Sequence, residues 1–292
     1  ACVGSPMVEA DVEDPGALRS LFQRHAFRAV IHFAARINVG ESMTAPLPYY
    51  RTNLFGSANL IEAAVEAGVR SFVFSSTAAV YGTPKRTPIR ETAPVRPINV
   101  YGETKLSVER LLQSVSRSHG LRAACLRYFN AAGADPDGEL GEDHRPETHL
   151  IPLAIDAALG RREPLTVFGD DYDTPDGTCI RDYVHVSDLC DAHLLALQAL
   201  DAAEPGYFRA YNVGTGIGHS VREVLDTVSE VAGVPVPHTV GARRPGDPPV
   251  LVASNDRIRS ELGWQPRHAD LRAMVAHALA WRKGHPDGYG EA

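Results

Sequence analysis

The strongest constraint on the fold comes from short runs that are apolar on nearly every residue. Ala29-Val-Ile-His-Phe-Ala34 and Ser71-Phe-Val-Phe-Ser75 are two such runs. A strand with one wet face alternates apolar and polar residues, so a continuous run predicts a strand covered on both faces. Helical patterning separates and follows them. A stretch over about 48–67 ends at Gly68, and Tyr101 to Ser118 carries Leu106, Val108, Leu111, Leu112 and Val115 near the helical period before Gly120 stops it. Leu121 to Phe129 then returns to strand, and Pro84, Pro88, Pro94 and Pro97 make a loop of the intervening segment. Strands alternating with helices of this length predict an α/β fold, a doubly wound parallel sheet with helices on both faces.

The texture changes after Asn130. Gly133 to Pro146 is rich in Gly, Asp and Pro and has no period. Beyond it the pattern predicts helices over 150–159, 188–200, 219–232, 255–262 and 269–283, and strands over 165–168, 180–185 and 211–213. The expected division is a large domain over 1–130 and a smaller mixed α/β lobe over 131–292, with 189–200 and 211–213 free to return to the large sheet. A nucleotide-binding sheet of this type opens with a strand, a glycine-rich turn and a helix whose N-terminus holds a pyrophosphate. No such motif precedes Ala29. The sheet is therefore expected to lack its first βα unit, with the strands at 29–34 and 71–76 parallel, adjacent and open on one side. Gly214-Thr-Gly216-Ile-Gly218 lies too late to supply the motif and reads as a tight turn.

Composition removes several function classes. The chain has 36 acidic against 29 basic residues, a net charge of −7, which argues against a nucleic-acid partner. An anionic small molecule stays compatible, because a few arginines in one pocket outweigh the global sign. No apolar run approaches the ~18 residues of a membrane span. Residues 1–10 carry neither the basic nor the apolar region of a signal peptide. Cysteines at 2, 125, 179 and 190 have no zinc or redox spacing. Cys125 reads as packing, and a reduced, cytoplasmic setting follows. His144, His149, His185 and His193 show no metal-ligand spacing, so no metal is expected; His32 reads as a core histidine.

The sharpest chemical signal is Ser75-Ser-Thr77 at a strand end, followed by Tyr101-x-x-x-Lys105 on a helix. Spacing i, i+4 puts phenol and ammonium on one helix face. A free phenol, with pKa about 10, is a poor base at neutral pH. A nearby ammonium favours the phenolate, and a strand-end hydroxyl can share the same substrate oxygen. Alone, Tyr-x-x-x-Lys equally describes a solvated helix face; the preceding Ser-Ser-Thr strand and proline-broken loop favour chemistry.

Phe74-Ser-Ser-Thr-Ala-Ala-Val-Tyr-Gly82, Tyr101-Gly-Glu-Thr-Lys105 and Leu126-Arg-Tyr-Phe-Asn130 resemble the extended short-chain dehydrogenase/reductases, whose sheet is of the Rossmann type. Val39-Gly-Glu-Ser42, Gly141-Glu-Asp143, Val167 to Thr178, Ile180 to Val186 and Arg243-Arg-Pro-Gly-Asp247 narrow the resemblance to the UDP-galactose 4-epimerases. It runs from about Val8 to the C-terminus. It implies Tyr101 as acid/base, Lys105 as ribose anchor and phenol tuner, and Thr77, where many relatives have Ser, as hydroxyl partner. It implies NAD as cofactor, held by Asp11, Val12, Phe33, Ala34, Ala35, Asn53, Ser75, Tyr101, Lys105 and Tyr128. It implies a UDP-sugar substrate held by Thr77, Asn130, Phe168, Arg181, Tyr183, Arg244 and Asp247, with both arginines on the diphosphate and Phe168 and Tyr183 walling the uridine. Asp11 as a plain turn residue, Phe168 as core and Arg181 as the partner of Asp182 or another acid stay open. The resemblance further implies a redox-neutral C4 oxidation, rotation of the 4-keto sugar and re-reduction, in a homodimer formed by the helices at 48–67 and 101–118. The residue at Leu251 gates sugar size in the family, and leucine is intermediate, leaving N-acetylated and pentose UDP-sugars as alternatives. A 4,6-dehydratase would show an acidic pair where Ala78 and Ala79 stand. A chain beginning at Ala1 is expected to bind NAD poorly, so an inactive nucleotide-sugar-binding fragment is the remaining rival.

Overall fold

The computed structural model describes residues 6–244 and 247–290. Cys2, and Pro245-Gly246 of the Arg243–Asp247 segment, lie outside the described residues. The elements run α1 (Pro15–Arg24), β1 (Ala29–His32), α2 (Val39–Thr44), α3 (Pro46–Tyr49), a π-helical turn (Tyr50–Gly56), α4 (Ser57–Glu66), β2 (Ser71–Thr77), a 3-10 turn (Ala78–Tyr81), α5 (Val100–His119), β3 (Arg122–Tyr128) and β4 (Asn130–Ala132). They continue as α6 (Leu150–Ala158), β5 (Leu165–Phe168), β6 (Ile180–His185), α7 (Val186–Ala202), β7 (Phe208–Val213), β8 (Gly218–Ser220), α8 (Val221–Ala232), β9 (His238–Gly241), β10 (Val250–Leu251), α9 (Asp256–Leu262) and α10 (Leu271–Gly284).

β1, β2, β3 and β7 form one parallel sheet in that order, with His32 opposite Phe74 and Thr77 opposite Tyr128. One face packs α1, α4 and α5 through Leu18, Leu60, Ala64, Val108 and Leu112 against Phe72 and Phe74. The other packs α7 and α9 through Ala192, Ala196, Leu200 and Ile258, with Trp264, against Val73, Ala124 and Leu126. β2 is buried at every residue, as its continuous apolar run requires. β1 is not: only His32 is buried, because β2 is its sole partner strand among the described residues. The expected strand through Ala34 ends at His32, leaving Phe33 54% exposed.

The expected helix over 48–67 is present as continuous helical backbone through α3, the π-helical turn and α4. Pro46 and Pro48 lie in the first turn, and the π-helical stretch runs directly into α4. At the end of that turn Gly56 meets Val12 so closely that a Cβ would lie 2.8 Å from Val12 Cγ2.

The smaller layer holds parallel β10-β6-β4, with β8 antiparallel to β6, and the separate pair β5–β9. Its core gathers α6, α8 and α10 around Ile151, Ile155, Val224, Val228, Met274 and Val275. The short strands β4, β8, β9 and β10 carry too few residues for a readable period. The turn at Gly214–Gly216 is held by the buried Asp182 carboxylate, which accepts the amides of Thr215 at 2.8 Å and Gly216 at 3.0 Å. That removes Asp182 as a partner of Arg181.

Candidate active site

Tyr101 is fixed by the start of α5. Asn99 caps the helix, its Oδ1 accepting Gly102 N at 2.8 Å, and Ser42 Oγ accepts Tyr101 N at 3.2 Å. Gly102 lets α5 sit against the 3-10 turn: a Cβ there would lie 2.7 Å from Ala79 O. Thr77, the last residue of β2, caps that turn by accepting Ala79 N at 3.1 Å. Its hydroxyl also lies near enough to the Tyr101 phenol to favour the phenolate. Tyr101 and Thr77 are each 8% exposed, so a reacting atom beside them is largely sheltered from water.

Lys105, one turn along α5, is buried, and its Nζ donates to Ser75 O at 3.0 Å. The Nζ lies 4.8 Å from the Phe74 ring centroid and 6.0 Å from that of Tyr101. The expected lowering of the phenol pKa is corrected here. Burial dominates and pushes Tyr101 above its ordinary value, with the nearby Thr77 hydroxyl opposing it. Burial also pulls Lys105 down to about 7. The ammonium is on the right helix face, but its bonded partner is the Ser75 carbonyl.

Of the residues expected at a dinucleotide, Phe33, Ala34, Ala35, Ser75 and Tyr128 lie at or just beyond the C-terminal ends of β1, β2 and β3, where open α/β sheets bind ligands, whereas Asp11 and Val12 lie in the turn before α1. Phe33 lies 4.6 Å, centroid to centroid, from the His193 ring. His193 Nδ1 sits 2.8 Å from Leu189 O, which only accepts, so Nε2 accepts the Ser75 hydroxyl at 2.9 Å. Burial raises the Tyr128 phenol, and the nearby Ser75 hydroxyl opposes it. The Ser75–His193 bond was not legible, since His193 is distant in sequence and carries no motif. Lys105 uses one of its three N–H donors on Ser75 O and has no other protein acceptor among the described residues, which suits a sugar diol. Ala34 and Ala35 follow Phe33 on the same loop. Asn53 is buried, its amide clamping Arg36 N at 2.8 Å and Arg36 O at 3.0 Å and reaching Thr104 Oγ1 at 3.2 Å. Its side chain thus shapes the loop after β1. Asp11 behaves as a turn residue: its Oδ1 accepts Glu13 N at 2.8 Å.

The expected substrate residues divide. Arg244 stacks its guanidinium 3.9 Å from the ring centroid of Phe168, which is 39% exposed and so not core. Arg181 donates to Ile180 O at 2.9 Å and Pro248 O at 2.8 Å, and pairs with Asp247 at 3.6 Å. Asn130 opens β4 and is registered with Tyr183 on β6. Tyr183 is buried in the apolar cluster of the smaller layer, next to β4 in register. Leu251 packs near Val80, Tyr81 and Leu106, beside the catalytic helix. Behind β2, a buried network of Glu109, Arg127, Ser76, Tyr81 and Asn212 supports the strand end.

Residues 2–214 match the NAD dependent epimerase/dehydratase family. A UDP-glucose 4-epimerase of Azospirillum brasilense is 52% identical over 287 residues, covering 98% of this chain and 82% of its own. A solved UDP-glucose 4-epimerase from Brucella ovis, in complex with NAD, superposes with a TM-score of 0.90 at 48% identity, covering 93% of this chain and 83% of its own. That from Bifidobacterium longum, in complex with NAD+ and UDP, gives 0.92 at 38% identity, covering 98% and 86%. With this match and the Thr77–Tyr101–Lys105 geometry on one sheet end, the chain belongs to the NAD dependent epimerase/dehydratase family.

Proposed function

We propose that the protein interconverts UDP-galactose and UDP-glucose, an isomerase using NAD. The observation that carries this is the sheltered Tyr101 phenol beside Thr77, with Lys105 one helical turn away on α5, and Arg244 stacked on Phe168 in the smaller layer. Bound at the ends of β1–β3, NAD supplies the hydride acceptor and donor, and a positive ring charge that favours phenolate. Thr77 holds the sugar C4 oxygen, and the Tyr101 oxygen takes its proton and later returns it. The buried Lys105 N–H donors fit the ribose hydroxyls. Arg244 offers a charged fork to the diphosphate and, with Phe168, a flat platform for the base. Arg181 is proposed as the second diphosphate contact, freed from Asp247 when the anion arrives, and Asn130 as a polar contact to the sugar. Asp11 and Val12 are proposed at the adenine edge. Ala78 and Ala79 form the 3-10 turn where a dehydratase would need acids, which favours epimerisation.

The division into a cofactor domain over 1–130 and a substrate lobe over 131–292 is part of the same proposal. So is a homodimer, supported by the exposed apolar Met43, Leu47 and Phe55. No helix among the described residues is long and apolar enough to cross a membrane. A cytoplasmic setting is proposed from the free Cys125, Cys179 and Cys190.

The test is Tyr101→Phe in the full-length protein, assayed for UDP-galactose conversion with NAD⁺ present. Turnover should fall by roughly 10²-fold or more while the fold persists. Turnover near that of the parent would remove Tyr101 from its role.

A further inference from the structure

The segment Gly141-Glu-Asp143 and the residues after it have no part in the chemistry above. They nonetheless gather four ligand-type side chains. Glu142, His144, Glu147 and His149 each bring one nitrogen or oxygen within 4.8 Å of the others'. His144 Nδ1 is 2.9 Å from Glu142 Oε1 and 3.7 Å from Glu147 Oε1. His149 Nδ1 contacts the same Glu142 oxygen and lies 3.8 Å from Glu147 Oε1. Donor atoms around a tetrahedral cation with bonds of about 2.0–2.2 Å sit about 3.3–3.6 Å apart. The cluster is already close to that size.

Hydrogen bonding accounts for most of the cluster but not for Glu147. Its side chain is 9% exposed, and its Oε1 accepts Thr148 N at 2.7 Å and His149 N at 2.8 Å. Its Oε2 is buried with no hydrogen-bond partner. A buried carboxylate oxygen left without a donor is costly, and a cation beside it removes that cost. The mixed set of imidazole nitrogens and carboxylate oxygens selects the kind of ion. Magnesium and calcium take oxygen ligands, whereas zinc and its neighbours accept imidazole and carboxylate together.

We propose that Glu142, His144, Glu147 and His149 form a structural binding site for a divalent transition-metal ion of the zinc class. The ion ties the irregular loop after Gly133 to the N-terminus of α6, where His149 is the cap residue. This departs from the sequence expectation of no metal. Each histidine by itself has no ligand spacing, and only the fold of the loop brings the interleaved acids round them. The nearby trio His185, His268 and His277 is a different arrangement. His185 Nδ1 accepts Ser187 N at 3.1 Å and its Nε2 faces His277 Nδ1 at 3.0 Å, so both of its ring nitrogens are already engaged.

The test uses the full chain without a histidine tag, stripped by chelator and titrated with Co²⁺ alone. One Co²⁺ per chain, with the intense visible bands of tetrahedral coordination, is the expected result; Zn²⁺ should bleach the bands and Mg²⁺ should not. His144→Ala should weaken Co²⁺ at least about 100-fold, since even outer-shell changes cost 10–100-fold. His277→Gln should leave binding unchanged. Glu142→Gln serves should His144→Ala fail to fold. Absence of tetrahedral bands, parental affinity in the His144 or Glu142 variant, or loss of binding in His277→Gln would overturn the assignment.

Discussion

The pair Arg127–Glu109 offers the clearest quantitative test of how the site is supported. Arg127 and Glu109 side chains are 8% and 3% exposed. Arg127 Nε reaches both Glu109 oxygens, at 2.9 and 3.2 Å, and Nη2 reaches Oε2 at 2.5 Å. Ser76 Oγ donates to the same carboxylate at 2.5 Å, and Arg127 Nη1 donates to Tyr81 OH at 2.9 Å. Glu109→Leu would strip the guanidinium of its counter-charge and Ser76 of its acceptor, inside the packed sheet. Breaking such a pair from one side costs about 3–5 kcal/mol, because an uncompensated charge stays buried. Removing both sides with Glu109→Leu/Arg127→Met leaves no such charge and should cost far less than the two single losses together. The coupling recovered in the cycle should be about 3 kcal/mol or more. Urea unfolding at fixed protein and NAD concentrations measures it, using the first transition if the two layers unfold separately. Because Ser76 lies between Ser75 and Thr77, Glu109→Leu should also lower turnover, through the strand end. A double variant as unstable as the sum of the singles would refute the reasoning.

The remaining expectations are simpler. Arg244→Ala removes the guanidinium stacked on Phe168 and should weaken UDP binding by roughly 1.5–3 kcal/mol, the scale of charge-assisted hydrogen bonds; calorimetry at moderate salt giving an unchanged affinity would count against it. His32 is held down to about 3 by burial first and the nearby Lys105 charge second, so the folded protein binds fewer protons here than the unfolded chain. Its contribution to stability is therefore present above pH 6.5 and lost as pH falls toward 3, amounting to on the order of 4 kcal/mol. His32→Gln, which keeps a donor for Ser57 Oγ, should flatten the acid limb of the stability curve over that window; parallel curves for parent and variant would contradict it.

The strands of the large sheet were legible because apolar texture tracks burial along a strand: Ser71–Thr77 is apolar or small throughout and is buried throughout. What the pattern could not carry was the identity of neighbours. Ala29–Ala34 has the same apolar texture, yet β1 is mostly half-buried, since burial depends on a second flanking strand that texture does not name. The helix over 48–67 was legible, with Pro46 and Pro48 in its first turn, where a missing N–H costs nothing; the π-helical stretch inside it left no mark in the spacing. In the site, Thr77, Tyr101 and Lys105 could be found because strand end and helix spacing are local properties. Asn99 was findable by the same logic, as a cap three residues before Gly102 N. His193 was not, for its hydrogen bond to Ser75 closes a gap of 118 residues.

The sign of the Tyr101–Lys105 coupling shows where spacing stops being informative. Four residues along a helix guarantee proximity, and proximity of an ammonium argues for a phenolate. Burial acts on both groups at once and in the direction of neutrality, raising the phenol and lowering the amine to about 7. The same 3.6-residue period that puts the pair on one face also puts that face against β2, where Lys105 finds Ser75 O before it finds the phenol oxygen. A pair arranged this way rests with its phenol protonated and its amine about half charged near pH 7, and further charge or hydrogen-bonding partners entering beside it are what favour the phenolate. Catalytic competence therefore belongs to the filled site, and the residues on the chain supply its geometry in advance.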